Sequence, residues 1–69
     1  MLPDEATIKS HSKRVYLTLV KMLRCTFDEL QSICKMGTTE LCLCIVRLLQ
    51  ENKIKQERCA GNVYYLPCF

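Results

Sequence analysis

The C-terminal stretch from Ile54 to Pro67 constrains the fold most, because two β-rich runs lie on either side of a short turn. The runs are Ile54–Cys59 and Val63–Leu66, and the residues between them, Ala60-Gly61-Asn62, are of the types that close a tight hairpin. Pro67 has no backbone N–H and is expected to end the second strand. The sequence therefore predicts a two-stranded antiparallel hairpin.

The residues before the hairpin show helical periodicity. From His11 to Arg24, apolar residues recur at intervals of three and four, which predicts a first helix with Ser10 or Ser12 as its cap. Residues 1–10 show no such period and are expected to form a flexible lead-in to a domain over residues 11–69. The residues expected to face inward are Val15, Tyr16, Leu19, Val20 and Leu23.

A capping box marks the start of a second helix. Thr26 precedes Glu29 by three residues, so the Thr26 hydroxyl and the Glu29 carboxylate can each accept a backbone N–H from the other residue. A helix is expected from Phe27 to about Lys35, preceded by a strand of one or two residues at Cys25. The residues expected to face inward are Leu30, Ile33 and Cys34.

A glycine-containing turn separates the second helix from a third. Gly37 is expected to take the positive φ of a sharp helix exit, and Thr38 or Thr39 to cap a helix that runs to about Glu51. Asn52 is the usual substitute for glycine after a helix end. The residues expected inward are Cys42, Ile45, Val46 and Leu49, and those expected outward are Thr38, Thr39, Glu40, Leu43, Arg47 and Gln50.

The third helix contains a continuous apolar run, Leu41–Val46, which a small domain cannot bury on all sides. We expect Leu43, with Cys44 or Leu48, to lie on the surface, where exposed apolar residues indicate a protein interface or a homodimer. An alternative is that the N-terminal arm covers them. The arm residues available for this are Leu2 and Ile8.

The predicted order of helix, helix, helix, strand, strand resembles the winged helix-turn-helix superfamily, in the form of small bacterial, prophage or plasmid regulators. The resemblance is carried by Leu49, Gln50-Glu51, Asn52 and Ile54 at the junction, by Gly61-Asn62 at the wing tip, and by Val63-Tyr64-Tyr65-Leu66 in the returning strand. It implies an α+β fold, mainly helical: three helices followed by a two-stranded β-hairpin wing. It also implies a DNA-binding transcriptional regulator that places its third helix at the major groove of double-stranded DNA and its wing near the phosphate backbone.

Carried onto this sequence, the resemblance implies DNA contacts on the turn, the third helix and the wing. Ten Lys+Arg against seven Asp+Glu give a net charge of +3, which permits a nucleic-acid partner without requiring one. The candidate DNA-binding residues are Lys35, Thr38, Thr39, Glu40, Leu43, Arg47, Lys53, Lys55, Arg58 and Asn62.

Composition narrows the class of protein. Hydrophobic residues make up 49% and charged residues 25% of the chain, as in an ordinary globular domain. No apolar stretch approaches the roughly 20 residues of a membrane span, and the acidic start is unlike a signal peptide, so a cytoplasmic protein is expected. No catalytic role is predicted, because His11 has no evident orienting partner and no glycine-rich phosphate loop is present.

The six cysteines are expected to be reduced and mainly structural. Cys42 and Cys44 point about 200° apart on a helix and cannot share one metal ion, so neither a metal nor another cofactor is expected. Cys25, Cys59 and Cys68 could approach one another if the short strand pairs with the hairpin. That leaves a thiol or iron–sulfur redox sensor as a lesser alternative.

Overall fold

The computed structural model describes residues 4–68 of the chain as a small, mainly helical α+β domain. Three helices are followed by a hairpin, and a short strand before the second helix joins the sheet. The elements are α1 (Glu5–Met22), β1 (Cys25–Thr26), α2 (Phe27–Cys34), α3 (Thr38–Gln50), β2 (Ile54–Cys59) and β3 (Asn62–Pro67). No helix within residues 4–68 is long and apolar enough to cross a membrane.

α1 begins at Glu5, so the expectation of a flexible lead-in through Ser10 is wrong for the residues from Glu5 onward. The cap is Asp4, whose carboxylate accepts the Thr7 backbone N–H at 2.7 Å, rather than Ser10 or Ser12. That hydrogen bond lowers the pKa of the Asp4 carboxyl, since it favours the charged form. The helix packs its inward side from Ile8 onward, whereas the expected contribution of Leu2 lies outside the described residues.

The end of α1 differs from the expected stripe. Val15 and Leu19 are fully buried as predicted, with Tyr16 and Val20 partly buried. Leu23 instead lies beyond the last turn, with a positive φ and its N–H bonded to the Leu19 carbonyl, and it is 64% exposed. Its departure from helical geometry turns the side chain away from the core.

α2 begins at the predicted capping box. The Glu29 N–H donates to the Thr26 hydroxyl at 3.2 Å, and the Thr26 N–H donates to the Glu29 carboxylate at 2.9 Å. Leu30 and Cys34 are buried, but Ile33 is 47% exposed, so its inward prediction is wrong. Ile33 lies about 100° around the helix from Cys34, on the far side of Leu30, and so falls outside the buried side of α2.

The turn after α2 uses a different left-handed residue from the one expected. Lys35 has φ 54°, and the Met36 N–H reaches the Gln31 carbonyl at 3.4 Å. Gly37 has φ −70° and ψ 162° and is itself the cap of α3, without a side-chain hydrogen bond. The prediction that Thr38 or Thr39 caps α3 is therefore wrong.

α3 is rotated relative to the predicted register. Its buried residues are Leu41, Cys44, Ile45 and Leu48, whereas Cys42 and Val46 are exposed. Leu49 is partly buried. Each residue advances a helix by about 100°, so shifting the buried stripe by one position turns Cys42 and Val46 to the surface, while Ile45 stays buried as predicted.

The end of α3 was predicted correctly at Asn52. Asn52 has φ 57°, its N–H bonds to the Leu49 carbonyl, and the Lys53 N–H bonds to the Leu48 carbonyl at 2.9 Å. These two bonds are the pair that a Schellman motif places after a helix. They fix the direction in which the chain enters β2.

The sheet is antiparallel with strand order β1-β3-β2. The hairpin, defined here as β2, β3 and the residues between them, turns through Ala60 and Gly61, both at positive φ, as a two-residue turn requires. Asn62 was expected in the turn, but it lies in β3, opposite Cys59. Pro67 lies opposite Ile54 and is the last residue of β3, so the strand ends at Pro67 as expected.

Candidate nucleic-acid interface

Beyond Ile54, β2 and the tip of the hairpin are exposed to solvent, whereas β3 is half-buried from Val63 to Leu66. Ile54 is buried at its base, but every residue from Lys55 to Asn62 is exposed. Successive residues of a strand point to opposite faces, so both faces of this part of the hairpin are in solvent. The exposed segment therefore contributes little to the core.

Three cations lie at the base and along β2. The Lys53 and Lys55 side chains are 56% and 58% exposed and lie 3.9 and 4.0 Å from the carboxylates of Glu51 and Glu57. Such long, solvated ion pairs hold the cations weakly. Arg58, near the tip, has no carboxylate of residues 4–68 within 4 Å. All three cations are therefore available to a phosphate.

Asn62 is exposed beside the tip, as the prediction requires. Further along β3, the guanidinium of Arg24 lies 4.6 Å from the centre of the Tyr64 ring, close enough for a cation–π contact. Arg24 follows α1, so this contact ties the hairpin to the helices through an exposed side chain. Sequence reasoning missed it, since no pattern marks which aromatic ring a distant arginine will face.

The start of α3 presents small polar groups to solvent. Thr38 and Thr39 are exposed, and the Thr38 hydroxyl accepts a hydrogen bond from Gln31 Nε2 at 2.9 Å. Lys35 is exposed in the preceding turn, without an ion-pair partner among the described residues. These three residues lie on the surface as predicted.

Glu40 and His11 form a pair that sequence reasoning missed. His11 Nδ1 donates to the Glu40 carboxylate, and both side chains are 27% exposed. His11 does therefore have a carboxylate partner, contrary to expectation, and Glu40 points toward α1 rather than freely outward. The pair joins the first helix to the start of the third, across 29 residues of sequence that carry no signal of the contact.

Arg47 is also less free than predicted. Its guanidinium lies 3.6 Å from the carboxylate of Glu51 and 3.9 Å from that of Glu5, and its side chain is 27% exposed. Glu5 belongs to the part of α1 that the sequence analysis left out of the domain. A phosphate would compete with these two carboxylates for Arg47.

Between the first turn of α3 and Gln50, the most exposed side chains of the helix are apolar. Leu43 is 39% exposed, as predicted, and Val46 is 49% exposed, with Cys42 exposed beside them. The expectation that Cys44 or Leu48 shares this surface is wrong, because both are buried at 0% and 1% exposure. We call Cys42, Leu43 and Val46 the apolar face of α3.

Cys25, Cys59 and Cys68 do not converge. Cys25 lies opposite Tyr65, Cys59 lies opposite Asn62 at the other end of β3, and Cys68 follows the strand. Since a strand rises about 3.3 Å per residue, these positions spread along the sheet. No cluster of three or more potential metal ligands occurs within residues 4–68.

Two buried thiols are poorly ionised. Burial raises the pKa of the Cys25 thiol above its ordinary 9.0, and the negative charge of Glu29 adds to the rise. Burial likewise raises the pKa of Cys44, an effect that the nearby Ser12 hydroxyl partly offsets. A thiol with a raised pKa is a weak nucleophile at neutral pH.

No protein-family model, curated protein or solved structure matches the chain. The functional interpretation therefore depends on the geometry of the surface. Two neighbouring features of that surface bear on a partner: the exposed cationic hairpin, and a third helix whose most exposed side chains are polar at its start and apolar between its first turn and Gln50.

Proposed function

We propose that the chain is a small, non-catalytic DNA-binding protein of the winged helix-turn-helix type. The observation that carries the proposal is the hairpin, which is exposed from Lys55 to Asn62 and bears Lys55 and Arg58, with Lys53 directly before its first strand. A segment that adds so little to the core is best explained by a partner. Phosphate is a group that exposed lysine and arginine side chains both bind well.

The element order supports the same assignment. A short strand between α1 and α2 pairs with the hairpin, and α2 and α3 are joined by a turn that contains Gly37. In this arrangement the start of α3 would enter the major groove, where Thr38 and Thr39 would meet backbone or base edges. Lys35 would bind a phosphate beside them. Arg47 and Glu40, held in ion pairs within the domain, would position the helix instead.

An NMR titration of the full chain with a mixed-sequence DNA duplex at low salt tests this proposal. The expected result is that amide shifts concentrate in 35–43 and 53–62, with the outer side of α1 unchanged. No shifts at low salt, or shifts confined to α1, would contradict it. A transcriptional role would follow only from binding of this kind.

The apolar face of α3 favours a second candidate, a winged helix that binds protein. A DNA-reading helix usually presents polar or basic side chains, whereas Cys42, Leu43 and Val46 are exposed and uncharged. In that case, Leu43→Ser should abolish a homodimer seen by analytical ultracentrifugation while leaving the circular dichroism spectrum unchanged. A wild-type chain that is monomeric at every concentration would exclude the homodimer.

A further inference from the structure

A pocket of about 350 Å³ lies between α1 and the end of α3, and the only residue it shares with the proposed phosphate-binding cations is Lys53 at its edge. This volume is within the range of small-molecule sites in proteins. Tyr16 and Leu17 of α1 and Leu48 of α3 give it apolar walls. Leu17 is 53% exposed, so an apolar ligand there would cover surface that is now in contact with water.

Ser12 lines the same pocket and is 3% exposed. Its hydroxyl makes no hydrogen bond within the described residues, and the Cys44 thiol near it is only a weak acceptor. A buried polar group without a partner is costly, and structures seldom leave one unsatisfied. A ligand oxygen in the pocket would provide the missing partner.

The charge of the pocket is positive on its α1 side. Lys9 and Lys13 line it one helical turn apart, and no carboxylate within residues 4–68 lies within 4 Å of either ammonium. On the α3 side the charges are already balanced, because Glu51 lies between Arg47 and Lys53, at 3.6 and 3.9 Å. An anion would therefore bind toward α1.

We propose that this pocket binds a small organic carboxylate with an apolar body. The carboxylate would accept hydrogen bonds from the Ser12 hydroxyl and from the ammonium groups of Lys9 and Lys13. The apolar body would cover Tyr16 and Leu17 and reach Leu48. Inorganic anions would lack the apolar contacts, and neutral aromatic molecules would lack the contacts with the hydroxyl and ammonium groups. The assignment uses no DNA contact and stands apart from the proposed function.

The test is an NMR titration of the full chain with 2-naphthoate, alongside 2-naphthylmethanol and acetate. Saturable shifts of the amides in 9–17 and 47–53 are expected with naphthoate, with the hairpin tip at 58–62 unaffected. The alcohol, which lacks the charge, and acetate, which lacks the rings, should each bind at least tenfold more weakly. No saturable shift with naphthoate, equal binding of the alcohol, or shifts centred elsewhere would overturn the proposal.

Two substitutions and a matched control locate the site. Ser12→Ala removes only the hydroxyl and should weaken naphthoate binding about tenfold, the effect of one hydrogen bond to a charged group. Lys13→Gln, at an exposed position that does not threaten folding, should also weaken binding, whereas Lys21→Gln makes the same charge change on α1 outside the pocket and should leave it unchanged. If Lys13→Gln binds like the wild type, or if Lys21→Gln weakens binding equally, the proposed site is wrong.

Discussion

The helical body and the hairpin of this protein are stabilised by different interactions. The core comprises residues from Ile8 to Leu48 together with Ile54 at the base of β2, whereas Lys55 to Asn62 contribute no buried residue. The helices are therefore stabilised by burial of apolar side chains, and the exposed part of the hairpin from Lys55 to Asn62 by its backbone ladder and two-residue turn. A substitution in the body should change stability, and one in the hairpin should change binding.

The largest expected effect separates the two regions by stability. Leu41 is fully buried on α3, and Leu41→Ala should cost about 2–5 kcal/mol through lost burial and the cavity left behind. A core of this size supplies only about 3–5 kcal/mol of stability, so the variant should be largely unfolded even without urea. Urea titrations followed by circular dichroism measure this loss. Arg58→Ala, in the hairpin, should remain within about 0.5 kcal/mol of the wild type. Equal losses would show that the hairpin shares the core's role.

Thiol reactivity sharpens the comparison. Cys59 is exposed in the hairpin and Cys44 is buried in the body, where burial raises its pKa. Iodoacetamide at neutral pH should therefore modify Cys59 at least tenfold faster than Cys44, as measured by peptide mass spectrometry over time. Equal rates under native conditions would mean that the body opens as readily as the hairpin.

The same raised pKa gives the pH dependence its sign. At a pH just above 9.0, the ordinary pKa of a thiol, Cys25 and Cys44 stay protonated in the folded chain but lose their protons in the unfolded chain. The unfolded state then binds fewer protons, so the contribution of these two thiols to the free energy of unfolding should be constant below about pH 9 and fall as the pH rises beyond it. Urea midpoints across this range measure the effect, and a midpoint that rises with pH would contradict the burial of these thiols.

The smallest expected effect lies at the helix caps of the body. Thr26→Ala breaks the capping box of α2 and should cost about 1 kcal/mol. Thr38→Ala should cost less than about 0.5 kcal/mol, because Gly37 caps α3 and Thr38 only accepts an exposed hydrogen bond from Gln31. Thermal unfolding distinguishes the two, and a larger loss at Thr38 would restore it as a cap.

The sequence predicted the features that local chemistry controls. The hairpin strands, the capping box at Thr26 and the left-handed Asn52 each follow from residues within a few positions of one another. The side of α3 that faces the core could not be predicted from nearby residues. Leu41–Val46 is uniformly apolar, so the sequence does not distinguish buried positions from exposed ones there. The tertiary contacts of α1 decide which side is buried instead.

The N-terminal part of α1 was missed for a related reason. Its cap, Asp4, directly follows Pro3, and proline in a sequence is typical of irregular structure. The inward side of this part of the helix consists of Ile8 and, one turn later, the small polar Ser12, so its apolar periodicity is weak. The consequence reached the candidate site, since the partners of Glu40 and Arg47 are His11 and Glu5 of that helix. Charges that looked free in the sequence are paired across helices in the fold.

The salt dependence of DNA binding tests the central claim, that the hairpin cations bind phosphate. With Lys35, Lys53, Lys55 and Arg58 each releasing a counterion, the slope of log K against log salt concentration for a labelled duplex should be about −3.6. The double variant Lys55→Gln, Arg58→Gln should reduce its magnitude, to about −1.8, and Lys21→Gln, on α1, should leave the slope unchanged. Absence of binding at low salt, or a double variant with the wild-type slope, would contradict the account.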